Sequence, residues 1–179
     1  MDKLLHSKFL PYQSSWKEKF NKEKEILQDV FGKEALAIEH IGSTSIEGLS
    51  AKPIIDMGIL VNSIDDVQYF VSRALLAGYI YQVPMSSGER IFFRKGNPLE
   101  YHLSIVSPKH TFWEWNILFR DYLRNHPEYI REYEDLKKNN LKITPEIDFE
   151  DLSHSKIYNQ GKGDFVKKIL DLAMEEIKK

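Results

Sequence analysis

The segment Ile41-Gly42-Ser43-Thr44-Ser45 leaves an apolar run and enters small, hydroxyl-bearing residues. Glycine lets the backbone turn tightly and come close to a ligand. Successive N–H groups in such a turn can converge on an anion, and Ser and Thr hydroxyls add donors. Lys52 stands just ahead of the next apolar run and can neutralise phosphate charge. Asp56 lies inside that run, fourteen positions after Gly42. On two neighbouring strands, the turn and the carboxylate would face one hollow. A phosphate on one side and a carboxylate on the other is how protein and nucleotide share a divalent cation. A Gly-Ser turn by itself is more often only a turn. An Asp within an apolar strand is harder to dismiss, because a buried carboxylate needs a metal, a cation or a set of donors.

Arg90, Arg94 and Lys95 form a second group. Positions 90, 92 and 94 share a strand face, so Arg90 and Arg94 can point together. With Lys52 they can surround a phosphate; equally, basic residues protect a solvated sheet edge. His102 precedes an apolar run, where a histidine is commonly a hydrogen-bonded core residue. His40, next to the turn, can orient it. Trp113, Trp115, Phe119 and Tyr122 recur along a helical stretch, suited to packing on the sheet or to a base-stacking wall. Arg120 and Arg124 are i, i+4 neighbours, set to reach the pocket or to pair with surface acids. The chain has no cysteine, which excludes disulfides, thiol nucleophiles and thiolate-bound zinc.

The elements that would hold these residues follow from the hydrophobic period. Trp16, Phe20, Ile26, Leu27 and Val30 predict a helix after a Ser14 or Ser15 cap, stopped at Gly32. Residues 35–41 and 54–61 read as strands, the second nearly all apolar and therefore central. A helix over Ile64–Ala77 follows a Ser63 or Asn62 cap. Short strands are expected near Tyr79–Val83, Ile91–Arg94 and Tyr101–Val106. Helices follow from Lys109, with Pro127 opening one that runs to about Leu141 and a last helix or pair over Phe149–Ile177. Strands in the middle and helices at the end predict an α+β fold with a mixed sheet. One domain over residues 1–179 is expected, its core about 14–107 and its helical part about 108–179. The 179 residues are 42% hydrophobic and carry a formal net charge of -2. That balance argues against a nucleic-acid partner or a polybasic membrane binder. No apolar run reaches the ~20 residues of a membrane span, and the polar N-terminus lacks a signal-peptide core. The expected location is the cytoplasm.

The run from Ile38 through Gly42-Ser43-Thr44-Ser45 and Lys52-Pro53 to Asp56 closely resembles the signature of the GrpB family. Arg90–Gly96, His102-Leu103, Leu118–Arg124, His126-Pro127, Glu132-Tyr133 and Tyr158–Phe165 follow in the same order. The resemblance implies the nucleotidyltransferase fold of the DNA polymerase beta-like superfamily. It further implies a triphosphate on Gly42, Ser43 and Thr44, with Asp56 as a metal ligand and Tyr158 and Lys162 closing the pocket. Active members of that superfamily carry an Asp-x-Asp or Asp-x-Glu pair, and here it reads Asp56-Met57-Gly58. On a later strand, His102 and Ser104 stand where relatives carry His-x-His. Two-metal transfer needs more oxygen ligands than one Asp and one His provide. A single divalent metal, Mg²⁺ or Mn²⁺, on Asp56 and His102 is the reduced expectation, with imidazole favouring the transition metal. The implied function is binding of a nucleotide or other phosphorylated small molecule, with metal-dependent nucleotidyl or phosphoryl transfer. The alternatives are a non-catalytic nucleotide-binding module and an interaction protein with a degenerate site.

Overall fold

A computed structural model describes residues 9–143 and 161–178. Helix α1 spans Ser15–Phe31, and Gly32, at φ 55°, ends it. Strand β1 (Ala37–Ile41) runs into a short 3-10 turn, Ser43–Ser45, and β2 covers Ile55–Leu60. Then come α2 (Val67–Leu76), β3 (Ile80–Tyr81), β4 (Arg90–Lys95) and β5 (Tyr101–Val106). Three helices complete the described chain: α3 (Thr111–Asn125), α4 (Pro127–Ile143) and α5 (Gly163–Ile177). The sheet order is β1-β2-β5-β4-β3. Among the described residues only β2 and β5 pair in parallel, so the sheet is mixed and the fold is α+β.

Two elements depart most from the sequence reading. Helix α2 starts at Val67, not Ile64, because the Asp66 carboxylate accepts the Tyr69 amide at 3.0 Å and sets the cap there. The strand expected over Tyr79–Val83 is cut to two residues, because Val83–Met85 turns into a 3-10 segment. The expected start of the last helix at Phe149 lies outside the described residues.

Strand alternation decides which side chains go where. One sheet face carries Ile55, Met57, Ile59, Ile91, Phe93, Leu103 and Ile105 into a core closed by Trp16, Leu27 and Phe31 of α1 and Phe70 of α2. On this face Lys95 reaches Glu23 of α1 at 2.7 Å, so it is taken out of the basic group predicted around Arg90 and Arg94. The opposite face, with Asp56, Gly58, Arg90, Phe92, Arg94, His102 and Ser104, looks toward the C-terminal helices. A second apolar cluster joins Ile46 and Leu49, just past the turn, to Leu123, Tyr133, Phe165 and Ile169 of α3, α4 and α5. The turn is thus clamped between two cores.

Candidate functional site

Register aligns the site in rows. Asp56 is flanked by Ile41 on β1 and His102 on β5, and His102 by Arg94 on β4. Two residues along, Gly58 pairs with Ser104 and Ser104 with Phe92. Gly42 follows β1 directly, so the turn begins beside Asp56. Its φ of 69° and ψ of -173° lie in a region essentially reserved for glycine. A Cβ there would stand 2.3 Å from Asp56 Oδ2. Glycine is therefore what lets the carboxylate lie against the turn.

Asp56 Oδ1 accepts from His102 Nδ1 at 2.9 Å, which puts the ring proton on Nδ1 when Asp56 is ionised. His102 Nε2 is buried with no hydrogen-bond partner among the described residues. The ring packs on Phe92 at 5.1 Å between centroids.

The turn is held from within and from behind. Ser45 N–H donates to Gly42 O at 3.2 Å, and Ser45 Oγ to the same oxygen at 2.6 Å. These internal bonds leave the amides of Ser43 and Thr44 at the open N-terminal end of the 3-10 turn. Thr44 Oγ1 donates to Ile54 O at 3.2 Å, so His40 Nε2 must donate to Thr44, at 3.0 Å. Burial pushes the His40 imidazole down to about 4, so it is neutral at pH 7 and stacks on Phe20. From α3, Arg120 donates to His40 O at 2.9 Å and to Glu39 at 2.6 Å. Arg124 donates to Ser45 O at 2.7 Å. The two arginines pin the backbone on either side of the turn and do not line the pocket on Asp56. Arg120→Met should cost about 1–3 kcal/mol in urea unfolding, because it strips a buried carbonyl and a carboxylate of their donor.

Beside the turn is a cavity of about 310 Å³. Its wall includes Gly42, Ser43, Thr44, Lys52, Asp56, Arg90, Phe92, His102, Ser104, Phe112, Asn116, Lys137 and Lys162. Arg94 shares the face but is not part of this wall; its guanidinium reaches Met85 Sδ at 3.5 Å. Tyr158 lies outside the described residues.

The sequence reading missed Lys137 and Phe112. Lys137 is 1% exposed, with Nζ donating to Ser50 O at 2.7 Å and standing 3.4 Å from Ser43 Oγ. It sits 4.6 Å from the Tyr133 ring centroid and 4.9 Å from that of Phe9. The signal was its place four residues after Tyr133, on the helix stripe that packs into the second core. Phe112, at the start of α3, lies 5.1 Å under the Arg90 guanidinium, which also covers Phe92 at 4.7 Å. The other aromatics predicted on α3 do not form one wall. Trp115 is 48% exposed, Phe119 packs against Tyr133 and Phe165, and Tyr122 stacks on His126.

Electrostatically the cavity is basic. Burial pushes the Lys52 ammonium down to about 6, Lys162 adds to that push, and Asp56 opposes it. Burial and then Lys162 bring Lys137 to about 7. Burial, opposed by Asp56, brings Lys162 to about 8. Burial also lowers Arg90, again against the pull of Asp56. The donors suit an anion. For a metal the set is poor: among the described residues no three His, Cys, Asp or Glu side chains come together to hold an ion. The missing second carboxylate has a structural counterpart, since a Cβ at Gly58 would stand 3.2 Å from Trp113 Cζ3. A second cavity of about 420 Å³ lies behind the turn, but it mixes Glu39 and Glu47 with Lys17 and Lys24 and excludes Asp56.

The chain matches the family described as GrpB protein over residues 7–172. It is 40% identical over 157 residues to the UPF0157 protein YqkA of Bacillus subtilis, covering 87% of this chain and 44% of that one, so it spans under half of that relative's length. The crystal structure of the conserved protein GrpB from Enterococcus faecalis superposes with a TM-score of 0.81 at 30% identity, over 96% of this chain and 100% of the other. The Cid1 poly(U) polymerase, with Mg and 3'-dATP bound, superposes with a TM-score of 0.51 at 15% identity, over 74% of this chain and 43% of its own, a likeness of fold alone. With the signature turn, the mixed sheet and these relatives in agreement, the chain belongs to the GrpB family and has the nucleotidyltransferase fold.

Proposed function

We propose that this protein binds a phosphorylated small molecule, most naturally a nucleotide, in the cavity beside Gly42. The observation that carries the reading is the convergence of the turn, Asp56 and the basic side chains Lys52, Arg90, Lys137 and Lys162 on one hollow. Phosphates would take the Ser43 and Thr44 amides and the cations. Phe112, partly exposed on the cavity wall, offers flat apolar surface for a base beside them. The volume falls at the small end of the roughly 300–1,000 Å³ usual for ligand sites. The fold is shared with a polymerase whose structure holds 3'-dATP, which agrees with a nucleotide.

Nucleotidyl or phosphoryl transfer is the chemistry natural to this fold, and Asp56 is the carboxylate on the cavity wall among the described residues. Its bond to His102 and the glycine at 58 favour recognition over fast turnover. Among the described residues no helix is long and apolar enough to cross a membrane.

Thermal shift with the four ribonucleoside triphosphates and pyrophosphate tests the reading. A ligand at a hundred times its Kd adds about 2.7 kcal/mol, a rise of roughly 5–10 °C in Tm for a chain of this size. Arg90→Gln should remove most of that rise. If no phosphate compound moves the Tm, the reading is wrong and an interaction protein takes its place.

A further inference from the structure

We propose that the pocket holds its ligand's phosphates without a divalent metal ion, with Lys137 and Arg90 supplying the charge a metal would bring. The inference rests on the phosphate-binding reading above. A strand that clamps a catalytic cation needs oxygen ligands on alternate positions. Here position 58 has no side chain, and the Trp113 indole already stands 3.2 Å from where its Cβ would be. The lost ligand is replaced by apolar surface, not by room for an ion's water shell.

Among the described residues the remaining donors do not gather into a set of three around one ion. Asp56 Oδ1 takes the Nδ1 proton of His102 at 2.9 Å, and the other ring nitrogen is sealed from solvent. Bringing both residues onto one ion would break that bond and turn the ring. The two cations are placed for the opposite task. Lys137 is buried and held on Ser50 O and Ser43 Oγ, and Arg90 donates to Met85 O, all neutral oxygens. Buried charge gains most from an ionic partner, and an anion seated at the Gly42 turn would supply one. A metal ion in the same cavity would add repulsion instead.

The test is calorimetric titration of the full-length protein with inorganic tripolyphosphate, first in EDTA and then with excess Mg²⁺ or Mn²⁺. Binding in EDTA is expected, with metal giving no gain beyond twofold. Lys137→Met and Arg90→Gln should each weaken it at least tenfold, circular dichroism confirming that each variant is folded. Asp56→Asn should tighten binding severalfold, since a negative charge leaves the wall. Binding that appears only with added metal, or that Asp56→Asn abolishes, overturns the metal-free site while phosphate recognition stands. No binding under either condition overturns both.

Discussion

Affinity for a polyphosphate should fall at least about a hundredfold between pH 7 and pH 9, at roughly tenfold per pH unit for each proton taken up on binding. Lys137 and Lys162 stand near 7 and 8, and Lys52 near 6, because each is buried, and Lys162 repels the other two. A bound phosphate offers the missing counter-charge and raises all three. In this window the bound state therefore holds more protons than the free state, and rising pH disfavours binding. The phosphate's own ionisation, with a second pKa of about 6, is nearly complete by pH 7 and does not reverse the trend. Titration at pH 8 in buffers of different ionisation enthalpy should show net proton uptake. The free protein should behave the other way. Its unfolded chain keeps these lysines protonated up to their ordinary values, while the folded chain releases protons earlier. Between about pH 6 and pH 10 this set of lysines makes the free fold more stable as pH rises. A ligand affinity flat from pH 7 to pH 9 would mean that none of these ammonium groups meets phosphate.

Gly42→Ala should destabilise the protein by roughly 3–5 kcal/mol and abolish ligand binding. The backbone conformation at 42 would cost a residue with a Cβ about 1–3 kcal/mol. The new methyl group would also collide with Asp56 Oδ2, for which it has only 2.3 Å. The carboxylate must swing away and give up His102, a charge-assisted bond of about 1.5–3 kcal/mol. Gly48, also at positive φ but with nothing within 4 Å of its Cβ position, separates the two causes. Gly48→Ala should show the backbone cost alone, in urea unfolding, and retain ligand binding. Equal losses at both positions would mean that the contact between Gly42 and Asp56 carries no energy.

Much of the frame was legible from residue order. The apolar period placed α1, β1, β2, β5 and α4 within a few residues, because each buries one face and that face repeats. Period two on β2 and β4 was enough to put Asp56 with Gly58, and Arg90 with Arg94, on common faces. Composition excluded cysteine chemistry outright, and the Gly-Ser signature carried the family. Three decisions belonged to the tertiary structure, because each depends on a neighbour far away in the chain. Lys95 was claimed by Glu23 across the core, so it left the basic group. Lys137 joined the pocket only because α4 packs against the turn 94 residues earlier. Trp113 settled over Gly58, filling with indole the space that residue order alone left open for an acid. A strand's period states which way a side chain points; what it meets there is decided by packing, and in this protein packing turned the place of a second acid into apolar wall and brought a buried lysine to the phosphate side.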